Sequence, residues 1–388
     1  MNTNVNYVEF LEMLVEKNIF AYGENHAKCG RNGPYGHADT PTRNTAHWLI
    51  VLSYLWENTK DSRYFNKAIE YADYLYGIQK SSVSGAVKCM ENTKFDHMNG
   101  LMGQAWYIEA MIEASMMAGD KKYYQSARDV FFVPVYNWSD HMWERIELDG
   151  SNIGYDKTFN HQLWFAAAGS LLLEYEEDSE IERIVGDYLS GCCVHFQTHP
   201  DGLIKHYGDL PDPYEHHGFT AKIKSILKKT ILKPMRRIDP NKFDIDSYER
   251  AYHLFNLYGF AILYKRFAEH PFFKSESFKK SVKYGLNIEV LNDFFNINRF
   301  VSDGIRCKMN KFAYAYNSPA FEYPYISEVF AGNTDMTGVN RLFLLQVKST
   351  FDESTSSFSR NNNDGVTLTA RIYELVRFLR MKSEEEIK

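Results

Sequence analysis

A recurring pair of helices constrains this chain more than any other feature: the first of each pair is apolar nearly all round, and the second carries one apolar stripe. Trp48-Leu-Ile-Val-Leu-Ser-Tyr-Leu-Trp56 is of the first kind, a pattern expected of a helix buried on every side. The polar turn 58–63 leads from it into residues 64–75, which read as an amphipathic helix with a single apolar face. The pattern returns with an apolar run at 101–117, a turn at 118–122 and an amphipathic segment at 123–132. It returns again at 163–173, 174–179 and 181–189, and a fourth copy joins 252–267 to 278–286. Residues 366–381 read as a last helix with apolar and basic faces. Copies recur about every 55–60 residues, well beyond the roughly 34 of a tetratricopeptide array. The expected fold is therefore all-α, an (α/α)6 toroid of alternating inner and outer helices with a few short strands in rim loops. Residues 83–89 and 202–207 are the best strand candidates. No linker interrupts the rhythm, so 1–388 is read as one toroid domain with a basic insertion near 218–240.

Composition narrows the function. A net charge of −6 lacks the basic footprint of a nucleic-acid binder. No apolar run approaches the ~20 residues of a membrane span, and the first residues show no basic start followed by an apolar stretch. Five scattered cysteines suit free thiols in a reducing cytoplasm. Tyr and Trp, 27 and 6 in number, offer flat apolar faces with polar edges, which suits a sugar ring as well as a large core.

Two segments gather the polar chemistry: Phe95-Asp-His-Met-Asn-Gly-Leu-Met-Gly-Gln-Ala-Trp106 and Gly154-Tyr-Asp-Lys-Thr-Phe-Asn-His-Gln-Leu-Trp164. Each puts a carboxylate, an amide and an imidazole where a turn enters an inner helix, the position that surrounds the crater of a toroid. Asp96-His97 ahead of a glycine-containing helix, and Asp156-Lys-Thr-Phe-Asn160 ahead of a small-residue helix, resemble the aspartate motifs of the unsaturated uronyl hydrolases. That resemblance implies an (α/α)6 hydrolase acting on acidic, uronate-containing glycans, with Asp156 as catalytic acid and Asp96 as second carboxylate. Asn160-His161-x-x-Trp164 also resembles a segment of toroidal uronate lyases, which implies β-elimination with Tyr252 or His161 as base and Arg250 beside Asn160 on the substrate carboxylate. The whole chain is similar, further, to uncharacterised proteins of surface-glycan and protein-glycosylation gene clusters.

For hydrolysis, Asp156 among Tyr155, Phe159 and Trp164 is expected to be desolvated and its pKa raised, as a general acid requires; the bland alternative is a helix N-cap. Asn160, Arg250, Arg43, His47, Trp164, Trp106 and Tyr323 are the candidate substrate-binding residues, Tyr323 within a rim loop at 321–325. The loop 212–217 is a further rim candidate. No cofactor is expected, and no metal: His195-x-x-x-His199 is followed by Pro200-Asp-Gly202, which would end a helix there. The stretch 222–237, opening at Lys222 and closing on Arg237, holds seven basic residues and no acid. It reads either as a solvated insertion or as a peripheral contact with an anionic membrane, where a lipid-linked glycan would be met. A non-catalytic glycan-binding protein is the reading from another class, and in it the polar residues of the two segments would not converge.

Overall fold

The computed structural model describes residues 5–32, 36–91, 96–206, 245–296, 300–302, 308–310, 318–332, 334–362 and 364–387. Its helices are α1 (Tyr7–Val15), α2 (Thr42–Thr59), α3 (Ser62–Ser81), α4 (Gly100–Ala118), α5 (Lys121–Phe131), α6 (Phe159–Tyr175) and α7 (Ser179–His195). They continue as α8 (Ile245–Phe267), α9 (Pro271–Lys274), α10 (Glu276–Gly285), α11 (Ile288–Phe294), α12 (Pro319–Ala331), α13 (Met336–Thr350), α14 (Gly365–Ala370) and α15 (Tyr373–Ile387).

Six of these close a ring. Helices α2, α4, α6, α8, α12 and α15 each pack on the next, and α15 returns to α2. Outside them, α3 packs on α2, α5 on α4, α7 on α6, α10 on α8 and α13 on α12, while α1 covers α2 from the N-terminal side. The fold is the (α/α)6 toroid that the helix rhythm predicts. The burial follows the apolar pattern closely: every residue from Thr42 to Leu55 in α2 and from Gly100 to Ser115 in α4 is buried. In α6 the whole stretch from Phe159 to Leu173 is buried except His161, which is partly exposed.

The inner-to-outer turns have a common chemistry. Lys60, Gly119 and Gly332 end α2, α4 and α12 in the left-handed conformation. An aspartate then caps the outer helix that follows: Asp61 accepts from the Arg63 amide, Asp120 from Lys122, and Asp335 from Thr337 and Gly338.

The strands differ from expectation. Residues 83–89 are turn and coil, and 202–206 form only an isolated bridge, Thr198 to Ile204. Two-stranded pieces occur at β1 (Arg31–Asn32) with β2 (His37–Ala38). The connection from α5 to α6 holds an antiparallel meander of β3 (Val135–Asn137), β4 (Met142–Ile146) and β5 (Asn152–Tyr155). A last pair joins β6 (Phe300–Ser302) to β7 (Lys308–Asn310). In the meander Arg145 lies opposite Gly154, two residues before Asp156. The aromatic segment 321–325 is not a rim loop but the body of α12, because Pro319 opens the helix at its first turn and Pro324 is accommodated inside it. The segment 366–381 is two helices, broken between α14 and α15. The loop 212–217 and the basic stretch 222–237 lie outside the described residues. Among the described residues, no helix is long and apolar enough to cross a membrane.

Candidate active site

Two carboxylates meet at the N-terminus of α4. Asp96 accepts from the Met98 and Gly100 amides through one oxygen, at 3.0 and 2.8 Å, and pairs with the Arg145 guanidinium through the other at 3.0 Å. Asp156, arriving from β5, accepts from the Leu101 amide of the same helix end at 3.2 Å. The unsatisfied amides and positive dipole end of α4 thus hold both anions. Asp156 is not the N-cap of its own helix. Thr158 holds that position, while Asp156 takes the Thr158 amide and caps the neighbouring helix. Gly100 makes the approach possible. It sits at φ +58°, and a Cβ there would lie 2.0 Å from Asp156 Oδ2 and 2.6 Å from His161 Nδ1.

The same Oδ2 of Asp156 bonds His161 Nδ1 at 2.7 Å. The Asp156 carboxyl is buried, which alone would push its pKa up. The facing His161 imidazole and the Arg145 guanidinium outweigh burial and bring it down to about 2. This corrects the expectation of a raised pKa: Asp156 is an ionised carboxylate that orients an imidazole, not a protonated acid. Asp96 likewise has both oxygens engaged.

A second imidazole faces this pair. The His206 carbonyl accepts from the Phe159 amide at the mouth of α6, and its own amide donates to Glu249 Oε1 at 2.9 Å. The buried His206 ring meets Tyr248 edge-on at 4.3 Å and lies 5.8 Å from the Tyr252 ring. Burial and the nearby His161 push its pKa down to about 3, so it is neutral near pH 7. Glu249 also pairs with His199 at 2.7 Å. Among the described residues, no group of His, Cys, Asp and Glu has the arrangement to hold a metal ion.

The structure therefore brings together Asp96, Asp156, His161 and Tyr252 at adjoining mouths of α4, α6 and α8, and adds Arg145, His206, Tyr248 and Glu249. Asn160 is buried beside His161 with its Oδ1 unpartnered. Three expected residues lie elsewhere. Trp164 fills the seam between α6 and α8, its indole N–H donating to the Phe255 carbonyl at 3.1 Å and its ring stacked 4.6 Å from Phe255. Arg250 donates from Nη1 to the Tyr284 hydroxyl on the outer helix α10, away from Asn160. Tyr323, in α12, is packed against the core rather than carried on a loop. Arg43, His47 and Trp106 do form one cluster, between α2 and α4: His47 meets Trp106 at 5.5 Å and the Arg43 guanidinium lies 5.1 Å from the Trp106 ring.

No family model matches the chain. Archaeal glycosylation protein Q of Haloferax volcanii is 31% identical to it over 359 residues, covering 90% of this chain and 91% of that protein. Among solved structures, the cellobiose 2-epimerase of Bacillus thermoamylovorans B4167 superposes with a TM-score of 0.62 at 10% identity, covering 98% of this chain and 100% of that one. The unsaturated glucuronyl hydrolase of Bacillus sp. GL1 does so with a TM-score of 0.62 at 12% identity, covering 97% and 96%. Both likenesses match the expected toroid fold over nearly the whole chain.

Proposed function

Because this chain belongs to the family of the archaeal glycosylation protein Q, we propose that it is a glycan-processing enzyme whose proton-transfer group is His161, oriented by Asp156, working beside neutral His206. The observation that carries this reading is the buried Asp156–His161 pair. An ionised carboxylate fixed by two backbone amides and a nearby guanidinium holds the His161 ring through Nδ1 and leaves Nε2 to pass a proton to a departing or unsaturated sugar oxygen or carbon. A buried neutral imidazole facing it supplies the base. This keeps the hydrolase-like reading but moves the acid from the carboxyl to the imidazole, with water as the group that His206 activates.

A second reading, epimerisation, is favoured by the same His206. Two imidazoles on one cavity can take a proton from a sugar carbon and return another without cleaving a glycosidic bond. Elimination is supported less, since Arg250 is directed to α10.

The test is turnover of neutral and acidic oligosaccharides by the wild type, His161→Gln and His206→Gln. It is read as new reducing ends, as ultraviolet absorbance of unsaturated uronate, and as solvent deuterium entering the sugar. Each variant should lower kcat by about 10²–10⁴-fold with the fold intact. Reducing ends alone mark hydrolysis, and deuterium without cleavage marks epimerisation. Wild-type turnover in His161→Gln would refute the dyad.

A further inference from the structure

The coil 197–206, which carries His206 to the candidate site, is fastened by one face of α8. It folds back on itself at the Thr198–Ile204 bridge, the Lys205 amide donating to the Gln197 carbonyl at 3.0 Å and the His199 amide to that of Leu203 at 2.8 Å. Glu249 spends both carboxyl oxygens on the two arms of this coil. Oε1 accepts from the His206 amide at 2.9 Å, and Oε2 bonds His199 Nε2 at 2.7 Å. One turn along α8, His253 Nδ1 accepts from the Ile204 amide at 3.2 Å, while its Nε2 donates to the Ser281 carbonyl of α10 at 3.0 Å. That arrangement requires the neutral Nε2–H tautomer. Gly202 lets the coil lie flat on α10, since a Cβ there would stand 2.4 Å from the Lys280 carbonyl oxygen.

Residues 249 and 253 are four apart and so share a helix face. Glu249 is 6% exposed, and taking a carboxyl out of water costs free energy unless its oxygens are bonded. A buried carboxyl whose bonds reach both arms of one coil is placed to hold that coil. On its other side His206 is pinned by its carbonyl, which accepts from the Phe159 amide at the mouth of α6 at 3.3 Å. With both backbone groups fixed, one to α8 and one to α6, the imidazole is confined beside His161 and edge-on to Tyr248.

We infer that Glu249 is a positioning residue: with His253 it clamps the coil 197–206 onto α8 and so keeps the His206 imidazole in its buried place beside His161. This rests on the reading of His206 as the base, but the clamp itself is open to a test without turnover.

That test is the His206 imidazole signal in nuclear magnetic resonance of the full chain carrying isotope-labelled histidine, identified by its loss in His206→Gln. In the wild type the ring should stay neutral between about pH 7.5 and 5. In Glu249→Ala it should titrate in that range, with its midpoint moving towards the ordinary ~6.5 as the released ring meets water. The sign separates release from charge. The titratable groups around the ring are His161 and Asp156 at the mouth of α6, and Tyr248, Tyr252 and Glu249 on α8. Loss of negative charge at Glu249 would by itself lower the midpoint, so a rise reports release from burial. Glu249→Gln should leave the ring silent, because its amide oxygen can accept from His206 and its amide nitrogen can donate to His199 Nε2. Glu249→Asp, one methylene too short to span both partners, should titrate as Glu249→Ala does and carries the comparison if the alanine variant does not fold. On an oligosaccharide that the wild type turns over, Glu249→Ala should lower kcat by about 10²-fold with KM little changed. It should add no further loss to His206→Gln, since both changes act through one group. The clamp is overturned if His206 already titrates in the wild type, if it stays silent in the alanine and aspartate variants, or if the kcat losses add. Wild-type turnover by His206→Gln refutes the base reading instead, and the titration still decides the clamp.

Discussion

Gly100 concentrates the candidate site into one backbone position. Its positive φ is open to glycine at little cost, and the missing side chain leaves the space that Asp156 and His161 occupy. Gly100→Ala is expected to do two separable things. The left-handed backbone costs about 1–2 kcal/mol with a Cβ, which would appear as a lower urea midpoint. The methyl group also displaces the Asp156 carboxylate from the Leu101 amide, so kcat should fall at least as far as in Asp156→Asn. A Gly100→Ala protein with wild-type kcat would show that the dyad tolerates displacement and is not the reacting group. Arg145 belongs to the same argument, since its guanidinium pairs with Asp96 and helps to hold Asp156 ionised.

Elements of this fold differ in how far periodicity can specify them. The inner and outer helices were legible because burial follows the 3.6-residue repeat: an inner helix has no polar face, an outer helix has one, and the short turns between them carry capping aspartates. The site was legible only where it lies on helix mouths, at Asp96, Asp156, His161 and Tyr252. Arg145 and His206 come from a meander and a coil whose placement no repeat encodes, and so they were missed as site residues. The lyase resemblance also misled within α8. Glu249 and Arg250 are consecutive, yet about 100° of rotation per residue separates them, sending Glu249 to His206 and Arg250 to Tyr284. Trp164 is misread for a related reason, since one turn below Asn160 the crater has given way to core. The turns themselves yield a prediction. Lys60 closes α2 at φ +57° where Gly119 and Gly332 do the same work without strain. Lys60→Gly should stabilise the protein by about 0.5–1 kcal/mol, the αL strain less the extra freedom of the unfolded chain. An unchanged or lower Tm would mean that the Lys60 ammonium over the Trp56 ring contributes as much as the strain costs.

At the scale of the whole molecule, the ring is closed by charge as well as by apolar packing. Arg371 joins Glu322 of α12 to Glu374 of α15, Arg377 reaches Glu109 of α4, and Arg380 reaches Glu113 of α4 and Glu57 of α2. Buried titratable groups then set how stability depends on pH. Burial, with Arg371 and Arg43 nearby, holds His47 well below its ordinary pKa, and burial brings His206 to about 3 and His253 to about 4. Each is neutral when folded but takes up a proton near its ordinary value when unfolded, so each contributes stability that is full above pH ~6.5 and lost as pH falls. Carboxyls raised by burial act oppositely, Glu57, Glu109 and Glu322 among them. Burial raises Asp39 to about 6 and Glu374 to about 7, so their contribution is full below pH ~4 and lost as pH rises through those values. The two sets oppose each other over the same interval, so the imidazole part is read as a difference between variants. Asp156, depressed to about 2, adds a loss only below pH ~4. Thermal melts of the wild type and His206→Gln should therefore diverge as pH falls from about 6.5 to 4, with the wild type losing more, because the variant cannot titrate at this position and keeps the carboxyl contribution. Parallel curves would place the proton linkage of this interval on the buried carboxyls, Asp39 and Glu374 among them, instead of on His206.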